Sequence, residues 1–190
     1  MGSPLRRHDD RRRDHPDANK GWWYAHEYAP NLIGSIDGCE SSVPHDKALV
    51  RAATAKFDPA KDPHIQGNPH ATLFVGRLHF ETTEETLHAV FGKFGAIHRL
   101  RLVRHAVTQA SRGYAFVEYV HERDFESAYR AAHRMIIDGR TILVEFERAR
   151  VMPGWKPRRL GGGLGGRKES GQLRFGGRDR PFRQPFRLSH

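Results

Sequence analysis

Three aromatic side chains stand where a sheet would ordinarily carry polar ones. Arg112-Gly113-Tyr114-Ala115-Phe116-Val117-Glu118-Tyr119 has the composition of a buried strand. Side chains alternate along a strand, so Ala115, Val117 and Tyr119 form an ordinary core face, while Tyr114, Phe116 and Glu118 share the other. In a second strand, Leu73 to Leu78, Leu73 and Val75 point to the core and Phe74 points away. Rings on an open sheet face are suited to stacking on a flat partner, and a nucleobase is flat.

The surrounding elements must hold these strands side by side. Thr82 and Glu85 have capping-box spacing. Leu87, Val90, Phe91 and Phe94 follow at i, i+3, i+4, i+7, which predicts a helix ending at Gly95. Residues 96–103 predict a strand in which Ile97, Leu100 and Leu102 alternate imperfectly with basic residues, as a bulge would require. Phe125, Ala128, Tyr129 and Ala132 predict a second helix, Asp138-Gly139 a turn, and Thr141 to Phe146 a last strand. The order is β-α-β-β-α-β, an α+β sandwich with a four-stranded antiparallel sheet, two helices on one face and Phe74, Tyr114 and Phe116 on the open one.

Upstream, residues 1–20 form a charged arm expected to be disordered, and 21–70 an aromatic and helical extension with a linker. Trp22, Trp23, Tyr24 and Tyr28 either pack back on the domain or anchor a protein partner. Asp46 is the candidate N-cap of a short helix over 46–57, whose narrow stripe of Leu49, Ala52 and Ala53 needs a partner surface. The folded domain is expected over 71–149 and a basic, Gly-rich arm over 150–190.

The net charge of +10 is concentrated in that arm: residues 1–70 sum to 0, 71–146 to +1 and 147–190 to +9. Such a tail suits a phosphate backbone better than a specific pocket. The single cysteine, Cys39, excludes an intrachain disulfide. No apolar run approaches the roughly 18 residues needed to span a bilayer. The first residues lack a secretory pattern, a transit-peptide composition and a myristoylation signal. The thirteen histidines are scattered and none forms a zinc-ligand spacing with cysteine, so no metal is expected. Gly161, Gly163 and Gly166 spell G-x-G-x-x-G without the βαβ unit that gives that motif meaning. No paired carboxylates or nucleophile–base arrangement suggests an enzyme, and no cofactor or small-molecule substrate is expected.

Residues 112–119 fill every position of the ribonucleoprotein-1 pattern, and 73–78 the ribonucleoprotein-2 pattern, so the domain resembles the RNA recognition motif family. That resemblance makes Phe74, Tyr114 and Phe116 the stacking rings and Arg112 the residue that meets a phosphate, with Arg101 on the neighbouring strand joining it. Glu118 either accepts from a base amino group or is a solvated surface carboxylate. Arg148, Arg150, Trp155, Lys156, Arg158 and Arg159 would follow RNA as it leaves the sheet, with the glycines at 161–166 letting the backbone pass close to phosphates.

The stretch Gly154 to Gly166 directly after such a domain is similar to a family of spliceosomal particle proteins with a U1 branch and a U11/U12 branch. Residues 34–38 and 168–183 resemble the U11/U12 branch. The resemblance covers about residues 21–185. It implies a nuclear subunit of the minor spliceosome that binds U11 small nuclear RNA at a stem-loop near its 5′ end. Other U11/U12 particle proteins would be its partners, and it would support 5′ splice-site recognition in U12-type introns. The Arg/Asp-rich stretch at 1–20 departs from the family, as does the lack of an arginine-serine tail, which leaves open a contact with serine/arginine-rich factors. A general pre-messenger RNA binder of the same fold and a protein-interaction scaffold within a splicing particle are the alternatives.

Overall fold

A computed structural model of the chain describes Tyr28 and residues 47–164. The expectations for residues 1–20, for Trp22, Trp23 and Tyr24, for Asp46 and for the arm beyond Leu164 lie outside the described residues. The described chain falls into two units, residues 58–151 and a smaller one of Tyr28, 47–57 and 152–164.

The larger unit is the β-α-β-β-α-β sandwich with an added hairpin. Its strands and helices are β1 (Thr72–Gly76), α2 (Glu84–Phe91), β2 (Ile97–Arg104), β3 (Ser111–Tyr119), α3 (Glu122–Ala132), β4 (Ile136–Ile137), β5 (Arg140–Thr141) and β6 (Leu143–Phe146), α1 belonging to the smaller unit. The main sheet is antiparallel in the order β2-β3-β1-β6. Its core face carries Leu73, Val75, Leu102, Ala115, Val117, Tyr119 and Val144, and packs on Leu87 and Phe91 of α2 and on Phe125, Ala128 and Ala132 of α3. Apart from Val144, to which the sequence pattern assigned no face, these positions follow from the period-2 and period-3.6 patterns. Inside this core the Tyr119 hydroxyl donates to the Phe91 carbonyl at 3.0 Å. Burial, with a smaller contribution from the Asp124 charge, pushes the phenol well above its ordinary range.

Three local expectations are corrected. The N-cap of α2 is Thr83, whose Oγ1 accepts from the Thr86 amide at 3.2 Å. Thr82, expected in that role, instead donates to Asp138 Oδ2 at 2.6 Å. The helix stops at Phe91 with Gly92 as cap, not at Gly95, and a turn closed by Phe94 N–H to the Phe91 carbonyl at 3.1 Å still brings Phe94 onto the core. The expected strand from Thr141 is split, because Thr141 pairs with β4 across the Asp138-Gly139 turn. Both turn residues are left-handed (φ 47° and 74°), as a two-residue hairpin of this hand demands. The irregularity of β2 is real: the register shifts between Ile97 and Arg99 and again between Leu102 and Arg104.

In the smaller unit, α1 (Lys47–Thr54) buries Ala48, Leu49 and Ala52, whereas Ala53 is exposed. The partner surface its narrow stripe required is the segment at 158–161. Gly161 (φ 93°) lies so close to the Ala48 carbonyl that a Cβ there would collide with it. Lys156 Nζ donates to the Ala55 carbonyl just past the helix at 2.7 Å, a cation at the negative end of the helix dipole. Tyr28 donates its amide to the Pro153 carbonyl at 2.8 Å and its hydroxyl to the Gly163 carbonyl at 2.9 Å. Its ring meets Trp155 edge-on at 4.7 Å.

Candidate nucleic-acid interface

The register assembles the open face row by row. Arg101 lies opposite Phe116, Phe116 opposite Phe74, and Phe74 opposite Glu145, so one row crosses all four strands. In the next row Tyr114 faces Gly76, which faces Leu143. Gly76 leaves room for a ring: a Cβ there would sit 3.0 Å from Phe74 Cε1. The Phe74 ring therefore leans over the glycine.

The three rings form a compact triangle. Centroids are 5.7 Å apart for Phe74–Tyr114, 5.8 Å for Phe74–Phe116 and 6.1 Å for Tyr114–Phe116, with interplanar angles of 40°, 60° and 85°. These separations are those of mutually favourable tilted and edge-on pairs, so the rings hold one another in place without a ligand. All three are half-buried. Arg101 is half-buried beside Phe116, and Arg112, at the start of β3, is exposed. Flat apolar faces with guanidinium groups beside them can take up unstacked bases and their phosphates.

Glu118 does neither of the things expected of it. It is 6% exposed, and its Oε1 accepts from the Asn68 amide at 2.7 Å. Gly67 (φ 79°) lies against the carboxylate so closely that a Cβ would overlap it. The linker segment 66–68 thus crosses this end of the open face, and Arg99 Nη1 adds a bond to Gln66 Oε1 at 3.2 Å. A carboxylate covered in this way is not offered to a base.

The basic residues after the sheet are also corrected. The Arg148 side chain is 4% exposed and its Nη2 pairs with Glu145 Oε2 at 2.9 Å. Arg150 grips Glu147 through Nε and Nη2, the latter at 2.6 Å, and donates from Nη1 to the Gly67 carbonyl at 2.6 Å. Trp155 is half-buried against Tyr28, and Lys156 is engaged with Ala55. Tyr28 is 1% exposed, packed against Met152 and Trp155 within the smaller unit. Arg158 and Arg159 are exposed, with Arg158 Nη2 bonded to the Leu164 carbonyl at 2.6 Å and Arg159 stacked 5.7 Å from the Phe57 centroid. The glycines at 161–163 serve close packing within the chain, where the sequence suggested close approach to phosphates. Sequence reasoning passed over Phe80, a large exposed ring in the β1–α2 loop, and the latch at Gly67 and Asn68.

A four-stranded antiparallel sheet backed by two helices, with three rings on its open face, is an RNA recognition motif. The family model of the RNA recognition motif matches residues 73–143. The chain is 56% identical over 164 residues to the U11/U12 small nuclear ribonucleoprotein 35 kDa protein of Bos taurus, covering 86% of this chain and 66% of that one. It is 55% identical over 162 residues to the protein of the same name from Danio rerio, covering 85% and 76%. With the U1 small nuclear ribonucleoprotein 70 kDa of Arabidopsis thaliana it shares 44% identity over 138 residues, 72% of this chain and 32% of that one. The chain belongs to the family of U11/U12 small nuclear ribonucleoprotein 35 kDa proteins, and it spans about two thirds of the length of the Bos taurus relative.

Proposed function

We propose that this chain binds a short unpaired RNA segment across Phe74, Tyr114 and Phe116 as a non-enzymatic subunit of the U11/U12 particle. The RNA is U11 small nuclear RNA, at a stem-loop near its 5′ end, and the site of action is the nucleus. There the bound chain supports recognition of 5′ splice sites in U12-type introns. The observation that carries this reading is the triangle of half-buried rings beside Arg101 and Arg112. The names of the relatives support the choice of particle. Arg112 and Arg101 meet phosphates, and exposed Arg158 and Arg159 add charge that follows the backbone.

Phe74→Ala with Phe116→Ala tests the reading. Each base–ring stack is worth about 1–3 kcal/mol, so losing two weakens binding by about 2–6 kcal/mol, from roughly thirtyfold upward. Titration of the U11 5′ stem-loop, with the U1 stem-loop alongside, measures this. Unchanged affinity in the double variant overturns the platform, and equal affinity for both RNAs overturns the choice of U11.

A further inference from the structure

We propose that Phe80, Arg77, Arg112 and Arg140 form a second RNA-docking patch at the end of the sheet where β1 leaves and β3 enters. It takes one base and the phosphates next to it, from the strand running off the three-ring platform. The proposal deepens the reading above and rests on it.

The position follows from the backbone. Gly76 is the last residue of β1 and pairs with Tyr114. The Leu78 amide continues that pairing beyond the strand by donating to the Gly113 carbonyl at 3.0 Å. Arg77 and Leu78 therefore lie beside Arg112 and Gly113. Phe80 reaches the same place: a Cβ on Gly113 would sit 3.5 Å from Phe80 Cε1. Its ring is thus one residue from Tyr114 of the platform, yet it is 59% exposed.

Arg140 places its guanidinium 5.7 Å from the Phe80 centroid. Two sequence-distant loops bring the pair together, and they are tied. Thr82, two residues after Phe80, donates to Asp138 in the turn that leads into Arg140. The stack is held by this tie and by the β4–β5 hairpin, so it is organised before any ligand arrives.

The charge is available. Arg77, Arg112 and Arg140 are all exposed. None of the three side chains makes a hydrogen bond or ion pair with another described residue, in contrast to Arg148 and Arg150, which hold Glu145 and Glu147. The neighbouring acids do not neutralise them: Asp138 is bonded to Thr82, and Glu81 makes no ion pair among the described residues. Arg77 is held at φ 62°, a left-handed conformation unfavourable for a side chain of its kind. An exposed ring with the Arg140 guanidinium over it, and unpaired Arg77 and Arg112 on the strands beside it, continuous with a stacking platform, match a nucleotide: a flat base for the ring and an anion for the arginines. An acidic protein partner would match the arginines but would leave the ring and its place beside Tyr114 without a purpose.

The test uses the full chain with two probes, the U11 5′ stem-loop and a pool of RNA hairpins with randomised loops. Phe80→Ala and Phe80→Leu are each expected to weaken binding about fivefold or more, the loss of a single base stack. Arg140→Gln is expected to weaken binding and to lower the slope of log affinity against log salt by about 0.7–0.9, one phosphate contact. Full affinity in Phe80→Leu would mean that the ring serves only as apolar packing on Gly113, and would overturn the proposal. So would an unchanged salt slope in Arg140→Gln. If the pool binds and U11 does not, the choice of RNA fails while the patch is still tested. If Phe74→Ala weakens binding and the Phe80 variants do not, the patch fails and the platform stands.

Discussion

Removing the Glu118 carboxylate should release the linker from the end of the sheet and leave the three rings in place. In the folded protein Glu118 Oε1 takes the Asn68 amide at 2.7 Å, and Arg150 holds the Gly67 carbonyl at 2.6 Å while gripping Glu147. A hydrogen bond to a charged group contributes about 1.5–3 kcal/mol. Asn68 itself is exposed, so its freed amide can find water, and the lower part of that range applies. At about 2 kcal/mol, Glu118→Ala should accelerate hydrogen exchange of the Asn68 amide roughly thirtyfold. Glu118→Gln keeps an acceptor of the same shape without the charge and should lie between. Arg150→Ala should loosen the same segment, and the double variant should fall short of the sum, because both side chains restrain adjacent residues. Residue-resolved exchange of segment 66–69 reads this directly. An unchanged Asn68 rate in Glu118→Ala would refute the latch. A change in RNA affinity for Glu118→Gln with exchange unaltered would instead return Glu118 to the role of a base contact.

Two further changes probe the supports of the fold. Gly161→Ala puts a Cβ into the Ala48 carbonyl at φ 93°. The left-handed backbone alone costs about 1–2 kcal/mol, so amide chemical shifts should change across 47–57 and 152–164 and leave 72–146 alone, and wild-type shifts throughout would refute the contact. Tyr119→Phe removes the bond to the Phe91 carbonyl at a cost of about 1–3 kcal/mol, read as a lowered urea midpoint. Because the folded phenol holds its proton more tightly than the unfolded one, its contribution is complete below the ordinary tyrosine range and is lost as pH rises above about 10. The variant should lack that part of the alkaline loss of stability, and an identical alkaline profile would count against the burial argument.

What was legible in the sequence was whatever short-range periodicity controls. Alternation put Leu73, Val75, Ala115 and Val117 in the core and the three rings outside, and the 3.6-residue period found Leu87, Phe91, Phe125 and Ala128. Boundaries slipped where two residues of one type compete: Thr82 and Thr83 for the cap, Gly92 and Gly95 for the stop. The fate of Glu118 was not legible, because the group that covers it arrives from fifty residues upstream. The glycines at 161–163 were misjudged for a related reason. A glycine announces that something comes close, and only the tertiary structure says whether that is a phosphate or the Ala48 carbonyl.

The arginines make the same point about charge. Sequence counts them equally, and the excess after residue 146 drew the nucleic-acid reading toward the C-terminal arm. Yet Glu145 with Arg148 and Glu147 with Arg150 are i, i+3 pairs that close on themselves as the chain leaves β6, so the first cations of that arm serve the fold. Within 58–151 cations are also left available in segments that a count treats as neutral, Arg77 after β1, Arg112 at the start of β3 and Arg140 in the hairpin, and Lys93, Arg101 and Arg134 likewise make no side-chain hydrogen bond or ion pair among the described residues. An arginine contributes to binding a phosphate only if its own acids do not already hold it. By that criterion Arg140 counts toward the charge available at the sheet end beside the rings, which is why Arg140→Gln is expected to change the salt dependence of binding.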